Sequence, residues 1–327
     1  MSLVGIVDLG SNSVRLVVYE LKKNAKAEAS ADKAAAGEGK RDGDSKSGGK
    51  KPFRTLMDKK KVAGLSAYVV DGSLTQEGIS NAIDAVDNLV RAARNIGCED
   101  VRLFATAVIR NCKNSKQAAK EISKAVDIKV DVLSEEEEAH LGFVGATFDN
   151  PIEDGTLIDV GGGSTELTLV RSGKDIRDLS LPQGSVSSYA QYVSLILPQP
   201  TEETAIRDAF LEKLSTVNDL DSFKSKRMYG IGGSVRAVDK LYAAAFSDNN
   251  RLNTLDLYQI EALQNLLANQ PSAFAHAATK AVPERMHTVG PGLIIARTLM
   301  EELGATSLTV CKYGIREGYL LEKVLGL

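Results

Sequence analysis

Apolar residues along this chain fall into short strand-like runs and longer helical stripes, and the order of the two repeats. Leu3 to Tyr19 reads as a strand ending in Asp8, a small polar turn of Gly10, Ser11, Asn12 and Ser13, and a second strand through Val14, Leu16, Val17 and Val18. Phe53 to Val62 adds a third strand, completing a meander. Thr156 to Val170 has the same plan: Leu157, Ile158 and Val160, then Gly161, Gly162 and Gly163, then Leu167, Leu169 and Val170, with Asp175 to Leu181 as the third strand.

Each meander leads into alternating helices and strands. In the first half, Ile79, Ile83, Val86, Leu89 and Val90 predict a helix opened by Thr75 and running to about Gly97. A strand at Val101–Ala107, a helix at Ser115–Ala125 and a strand at Ile128–Leu133 follow. In the second half, helices are expected at Val186–Leu197, Glu202–Asp219 (capped by Thr201), Ser234–Ala245, Leu255–Ala268, Ser272–Ala278, Pro291–Leu303 and Gly314–Val324. Strands are expected at Arg227–Ile231 and Ser307–Cys311. Two runs of one order imply a duplicated α/β chain whose loops face one another.

A length of 327 residues allows two moderate cores, and 43% hydrophobic with 25% charged residues is an ordinary globular balance. No apolar run approaches the ~20 residues of a membrane span and no signal-like segment precedes the first strand, so a cytoplasmic protein without a membrane partner is expected. Cys98, Cys112 and Cys311 lack metal-ligand spacing and are expected to be reduced thiols. Net charge is −3, but Lys22 to Lys61 carries thirteen Lys/Arg against six Asp/Glu. Within it, residues 22–51 form an Ala/Gly/Lys/Ser-rich insertion without apolar periodicity, expected to be flexible.

The candidate chemistry lies in the turns. Gly161, Gly162 and Gly163 are expected to adopt positive φ and form a nest of N–H groups for phosphate oxygens. Asp159 and Glu166 flank that seat, and carboxylates beside a phosphate call for a hard cation such as Mg²⁺. A third glycine turn, Met228 to Arg236, runs from strand to helix, where Gly232, Gly233 and Ser234 offer an anion site. Arg110, in the Thr106–Asn111 loop after a strand, is either a phosphate clamp or a helix-surface residue. Ser134-Glu-Glu-Glu-Glu-Ala-His140 starts a helix with a capping box, and one or two of its glutamates can face a cleft and take a proton from water.

Asp8-Leu-Gly-Ser-Asn-Ser13, Asp159-Val-Gly-Gly-Gly-Ser-Thr-Glu-Leu167, Gly230-Ile-Gly-Gly-Ser234 and Gly314-Ile-Arg-Glu-Gly318 together resemble the exopolyphosphatase/guanosine pentaphosphate phosphohydrolase family, in its short form without C-terminal helical domains. The resemblance implies two RNase H-like lobes of the actin, sugar kinase and Hsp70 superfamily around a central cleft. Their expected bounds are 1–133 plus 313–327, and 134–312. It implies Glu138 as the catalytic residue, with His140 where the family usually has arginine. Asp159, Glu166 and Asp8 become metal residues for Mg²⁺ or another divalent cation. Gly10, Ser11, Asn12, Ser13, Arg110, Gly161, Gly162, Gly163, Ser164, Thr165, Gly232, Gly233 and Ser234 become phosphate-binding residues. Two segments depart from the family pattern, Cys311-Lys312-Tyr313 and Arg285-Met286-His287.

The activity implied is hydrolysis of the terminal phosphoanhydride of inorganic polyphosphate. The alternatives are guanosine pentaphosphate hydrolysis, a kinase of the same superfamily, and a non-catalytic sensor of polyphosphate or an alarmone. No specific nucleic-acid partner is expected, and a homodimer is compatible with the sequence.

Overall fold

A computed structural model describes residues 2–22, 51–247 and 250–327. The predicted insertion at 22–51 lies, apart from its two end residues, outside them. The chain divides into two compact units, 1–132 with 319–327, and 133–318.

In the first unit, β1 (Ser2–Leu9), β2 (Ser13–Leu21) and β3 (Phe53–Val62) form the antiparallel meander. A small hairpin of β4 (Val69–Val70) and β5 (Ser73–Leu74) precedes α1 (Gln76–Arg94). Then come β6 (Asp100–Ala105), α2 (Ala107–Arg110), α3 (Ser115–Val126) and β7 (Val130–Val132). The sheet order is β3-β2-β1-β6-β7, with β6 parallel to both β1 and β7. Val7, Leu9, Val14 and Leu16 bury their side chains with Ile79 and Val86 of α1 and Ile122 of α3. Thr75 caps α1 through its Oγ1, which accepts the Gly78 N–H at 3.1 Å.

The second unit opens with α4 (Glu135–Thr147), followed by the meander β8 (Gly155–Val160), β9 (Thr165–Arg171) and β10 (Lys174–Leu181). Next are α5 (Ser185–Tyr192), α6 (Pro200–Ser215), β11 (Arg227–Ile231), α7 (Gly232–Phe246), β12 (Thr254–Asp256), α8 (Leu257–Asn269), α9 (Pro271–Ala281), α10 (Met286–Glu302), β13 (Ser307–Val310) and α11 (Ile315–Tyr319). The sheet order is β10-β9-β8-β11-β13-β12, with β11 parallel to β8 and β13. Both units thus have the RNase H-like plan, a meander extended by parallel strands. The period of two along each strand sorts side chains between faces. Ile158, Val160, Leu167 and Leu169 pack on the side of α7 and α10, while Leu157, Val170 and Ile231 pack against Phe143 and Ala146 of α4.

Several expected boundaries differ. α5 stops at Tyr192 instead of Leu197: Val193 is extended, and the Ser194 N–H and hydroxyl both donate to Glu202 Oε1, at 2.9 and 2.6 Å. α6 begins at Pro200 on a Gln199 cap, because proline suits the first helical turn. α8 begins at Leu257, since Leu255 pairs in the short edge strand β12 and Asp256 Oδ1 accepts the Gln259 N–H at 2.8 Å. α10 begins five residues early at Met286 and carries the buried Pro291 inside it. The last helix continues beyond Tyr319 as a wider π-turn over Leu320–Leu325. Among the described residues, no helix is long and apolar enough to cross a membrane.

α4 and α11 meet backbone to backbone. A Cβ on Gly145 would stand 2.0 Å from Gly314 O, and one on Gly318 would stand 1.8 Å from Leu141 O. Gly318→Ala is therefore expected to destabilise the protein by about 1–3 kcal/mol, the usual cost of overpacking, measured as a lower urea midpoint at unchanged m.

Candidate active site

The face of the second sheet that packs under α4 is not wholly apolar. In its register, Ile231, Asp159, Glu166 and Ser180 form one row across β11, β8, β9 and β10, and Tyr229, Leu157, Thr168 and Asp178 form the next. Strand pairing alone therefore sets Asp159 directly beside Glu166. Above them, Ser134 opens α4: its Oγ accepts the Glu137 N–H at 3.1 Å, and Glu137 Oε2 accepts the Ser134 N–H at 3.2 Å. Glu137 is thereby committed to the cap. Glu138, one residue on and turned by about 100°, joins Ala139 and Gly142 over a cavity walled by Leu157, Asp159, Glu166, Thr168 and Ile231. The space measures about 10 Å³ for the centre of a water-sized sphere. That is room for one water.

Glu166 is 5% exposed. Its Oε1 accepts from Ser164 Oγ at 2.5 Å and Ser180 Oγ at 3.1 Å. Burial first, then the charges of Glu138 and Asp159, hold its carboxyl well above the ordinary range, and the two serines offset this only in part. A buried carboxylate raised by two others is an arrangement that a hard cation relieves. Among the described residues, no group of three or more His, Cys, Asp or Glu is arranged to enclose a metal. Mg²⁺ needs no such cage, being commonly held by one or two carboxylates, waters and substrate phosphates. The oxygen donors of Asp159 and Glu166 fit it.

The glycine turns serve differently than expected. None of Gly161, Gly162 and Gly163 has positive φ, and the Gly161 N–H is taken by Ser164 O at 3.0 Å. The turn instead receives the start of α5, where a Cβ on Gly184 would stand 2.7 Å from Gly161 O: Ser185 N–H donates to Gly161 O, and Val186 and Ser187 N–H donate to Gly162 O, each at 2.9 Å. The positive φ falls at Gly232, +79°, where a Cβ would stand 2.0 Å from Asp159 Oδ1. The hydroxyls expected to bind phosphate have protein partners. Thr165 Oγ1 donates to Gln183 O at 2.7 Å, Ser164 Oγ to Glu166, and Ser234 Oγ to Ser185 Oγ at 3.1 Å. Ser185 Oγ in turn donates to Gly161 O at 3.0 Å, so one hydrogen-bonded chain ties the β8–β9 turn to the starts of α5 and α7. The first turn of α7, Gly232 to Ser234, has N–H groups that a helix start leaves without carbonyl partners of its own.

Arg285 is the residue that sequence reasoning missed as a site residue. Its guanidinium lies against Gly233, where a Cβ would stand 1.9 Å from Nη2. The only sequence signal was its place in the departing Arg285-Met286-His287 segment. The rest of that segment is structural, His287 meeting the Tyr189 ring edge-on at 5.1 Å. The Cys311-Lys312-Tyr313 departure is accommodated in the same way. Cys311 is buried in the core under α4, its thiol pushed up to about 11 by burial, and Tyr313 packs against Phe148.

The first unit holds the other predicted residues at the carboxyl ends of two parallel strands. Asp8 is in register with Phe104 and Arg15. Gly10 N–H donates to Ser13 O at 3.2 Å, and Asn12 O accepts the N–H of Ala63 and Gly64, which pins the β1–β2 turn. Among the described residues, Asn12 Nδ2 is buried without a hydrogen-bond partner. Arg110 ends α2, just beyond β6.

A sheet that aligns carboxylates beneath a helix start, next to N–H-bearing turns, defines a phosphoryl-handling RNase H-like protein. The model of the Ppx/GppA phosphatase family matches residues 44–326, and the chain belongs to that family, whose enzymes hydrolyse phosphoanhydride bonds. Exopolyphosphatase 1 of Mycobacterium bovis is 24% identical over 331 residues, covering 98% of this chain and 88% of that protein. The guanosine-5'-triphosphate,3'-diphosphate pyrophosphatase of Pseudoalteromonas atlantica is 24% identical over 328 residues, covering 97% of this chain and 58% of its own. The crystal structure of an exopolyphosphatase from Cytophaga hutchinsonii superposes with a TM-score of 0.80 at 18% identity, covering 100% of this chain and 99% of that one. It has the same fold.

Glu166 also sets a pH dependence of stability. The folded state holds this proton more tightly than the unfolded chain does, so wild-type stability falls as pH rises above the ordinary value of about 4.5. In chelator, Glu166→Gln is expected to raise the melting temperature at pH 7.5, with no gain at pH 4. Thermal melts across that range check it; a gain equal at both pH values would contradict it.

Proposed function

We propose that the protein is an exopolyphosphatase that removes the terminal phosphate of inorganic polyphosphate as orthophosphate. One observation carries the reading: Glu138, Asp159 and Glu166 converge on a space the size of one water, beside the anion-binding start of α7. The N–H groups of Gly233 and Ser234 and the Arg285 guanidinium bind oxygens of the terminal phosphoryl group. Gly162 and Gly163, in the turn that follows β8, are assigned further phosphate oxygens. In the first unit, taken by itself, Gly10, Ser11, Asn12, Ser13 and Arg110 are candidates for phosphate contacts, supported by Asn12 Nδ2, which is buried without a hydrogen-bond partner among the described residues.

Asp159 and Glu166 would hold the divalent cation. When bound, that ion supplies neutralising charge to the reacting phosphoryl group. Glu138 aligns the water and takes its proton as the new O–P bond forms and the bridging P–O bond breaks. The products are orthophosphate and a chain one unit shorter. Little covalent work falls to the protein, so the rate comes from alignment and charge. Hydrolysis of guanosine pentaphosphate is the second reading, favoured by the relative from Pseudoalteromonas atlantica named for that substrate class.

The test is orthophosphate release from short polyphosphate, long polyphosphate and guanosine pentaphosphate, with Mg²⁺ and with chelator. Polyphosphate is expected to give the highest kcat/KM, and chelator to remove activity. Glu138→Gln is expected to lower kcat by about 10²–10⁴-fold while polyphosphate binding persists. Normal turnover in that variant would remove Glu138 from the mechanism.

A further inference from the structure

β10 departs from regular pairing at one place. Asp175 pairs with Val170 and Arg177 with Leu169, so Ile176 is an inserted, unpaired residue, and its side chain is 57% exposed. Regular alternation would put Asp175 and Arg177 on one face and Asp178 on the other. The bulge shifts the phase, and bulges commonly re-aim side chains beside functional sites. Asp175 now shares a face with Asp178 and Ser180, in line with Val170, Thr168 and Glu166 of β9. That is the face beneath α4. There His140 Nδ1 meets Asp175 Oδ2 at 2.5 Å.

The start of α4 needs such a contact. Its first turn consists of four glutamates with no apolar side chain, so burial cannot fix it, and adjacent like charges push it outward. The Ser134–Glu137 capping box satisfies the helix end but does not tie it to the sheet. His140 lies two residues beyond Glu138, about 200° around the helix. Glu138 is thereby directed to the cavity while His140 reaches β10. The groups facing His140 are Asp175 and Asp178 on β10 and Glu136 on its own helix. Either the imidazolium or the neutral ring protonated on Nδ1 can donate to Asp175.

We infer that His140 and Asp175, brought together by the bulge at Ile176, form a clasp that positions Glu138 over the water cavity. The inference rests on reading Glu138 as the residue that activates water. His140 and Asp175 are positioning residues: they act through the placement of α4 and touch no substrate atom.

The experiment compares steady-state orthophosphate release from polyphosphate in Mg²⁺ for the full chain and for Glu138→Gln, His140→Gln, Asp175→Ala, the His140→Gln/Asp175→Ala double variant and His140→Arg, each with a urea unfolding curve. His140→Gln and Asp175→Ala are expected to lose about tenfold in kcat, the scale of a small misplacement of a catalytic group, with KM unchanged. The double variant is expected to lose no more than either single one, because both substitutions open the same clasp. His140→Arg keeps a cationic donor and is expected to recover most of the rate. Wild-type kcat in both single variants, a loss confined to KM, multiplying losses in the double variant, or no recovery with arginine would overturn the clasp. If one single variant does not fold, the other and His140→Arg still decide the question. Full activity in Glu138→Gln would instead sink the reading beneath it, whatever the His140 variants do.

Discussion

Crowding of like charge governs the second unit. Strand pairing fixes Asp159 against Glu166, and α4 brings Glu138 to the same small cavity, so one buried carboxyl is held far above its usual proton affinity. Such a cluster costs folding free energy, and several features partly offset it. Two serine hydroxyls donate to Glu166, and the helix start lends its positive end to the four glutamates.

Glycine in this fold mainly provides access, allowing backbone to approach backbone or a charged group. Gly142 lines the cavity, Gly145 and Gly318 let α11 cross α4 at main-chain distance, and Gly233 leaves room for the Arg285 guanidinium. Gly232 is the site position where a left-handed backbone is required, turning β11 into α7 past Asp159. The chain of Ser234, Ser185 and Gly161 then locks three turns to one another.

The two units share a plan but differ in how their strands end. In the first, Asp8 leads into a small polar turn held by main-chain bonds to residues 63–66. In the second, the corresponding turn is all glycine before Ser164 and is held by the start of α5. The second unit also adds β12 at the far edge of its sheet, whereas the outer strand of each meander, β3 and β10, carries a register shift.

Much was legible in the residues alone. The two meanders, the strands that follow them, the Thr75 and Ser134 caps and the placement of Asp159 and Glu166 on either side of the β8–β9 turn follow from periodicity and turn composition, which act over a few neighbours. Family motifs singled out Glu138, and turn composition the glycine turns. The rest depended on contacts between residues far apart in the chain. Arg285 meets Gly233 from 52 residues away, and His140 meets Asp175 from 35. The hydroxyls of Thr165 and Ser234, which local pattern assigned to a ligand, found protein acceptors only once α5 had docked. No local pattern marks the bulge at Ile176, because phase along a strand is defined only by its neighbour. Sequence thus determined which carboxylates and turns exist; tertiary packing decided which of their donors and acceptors stay available, because hydrogen bonds go to whichever partner the fold brings within reach.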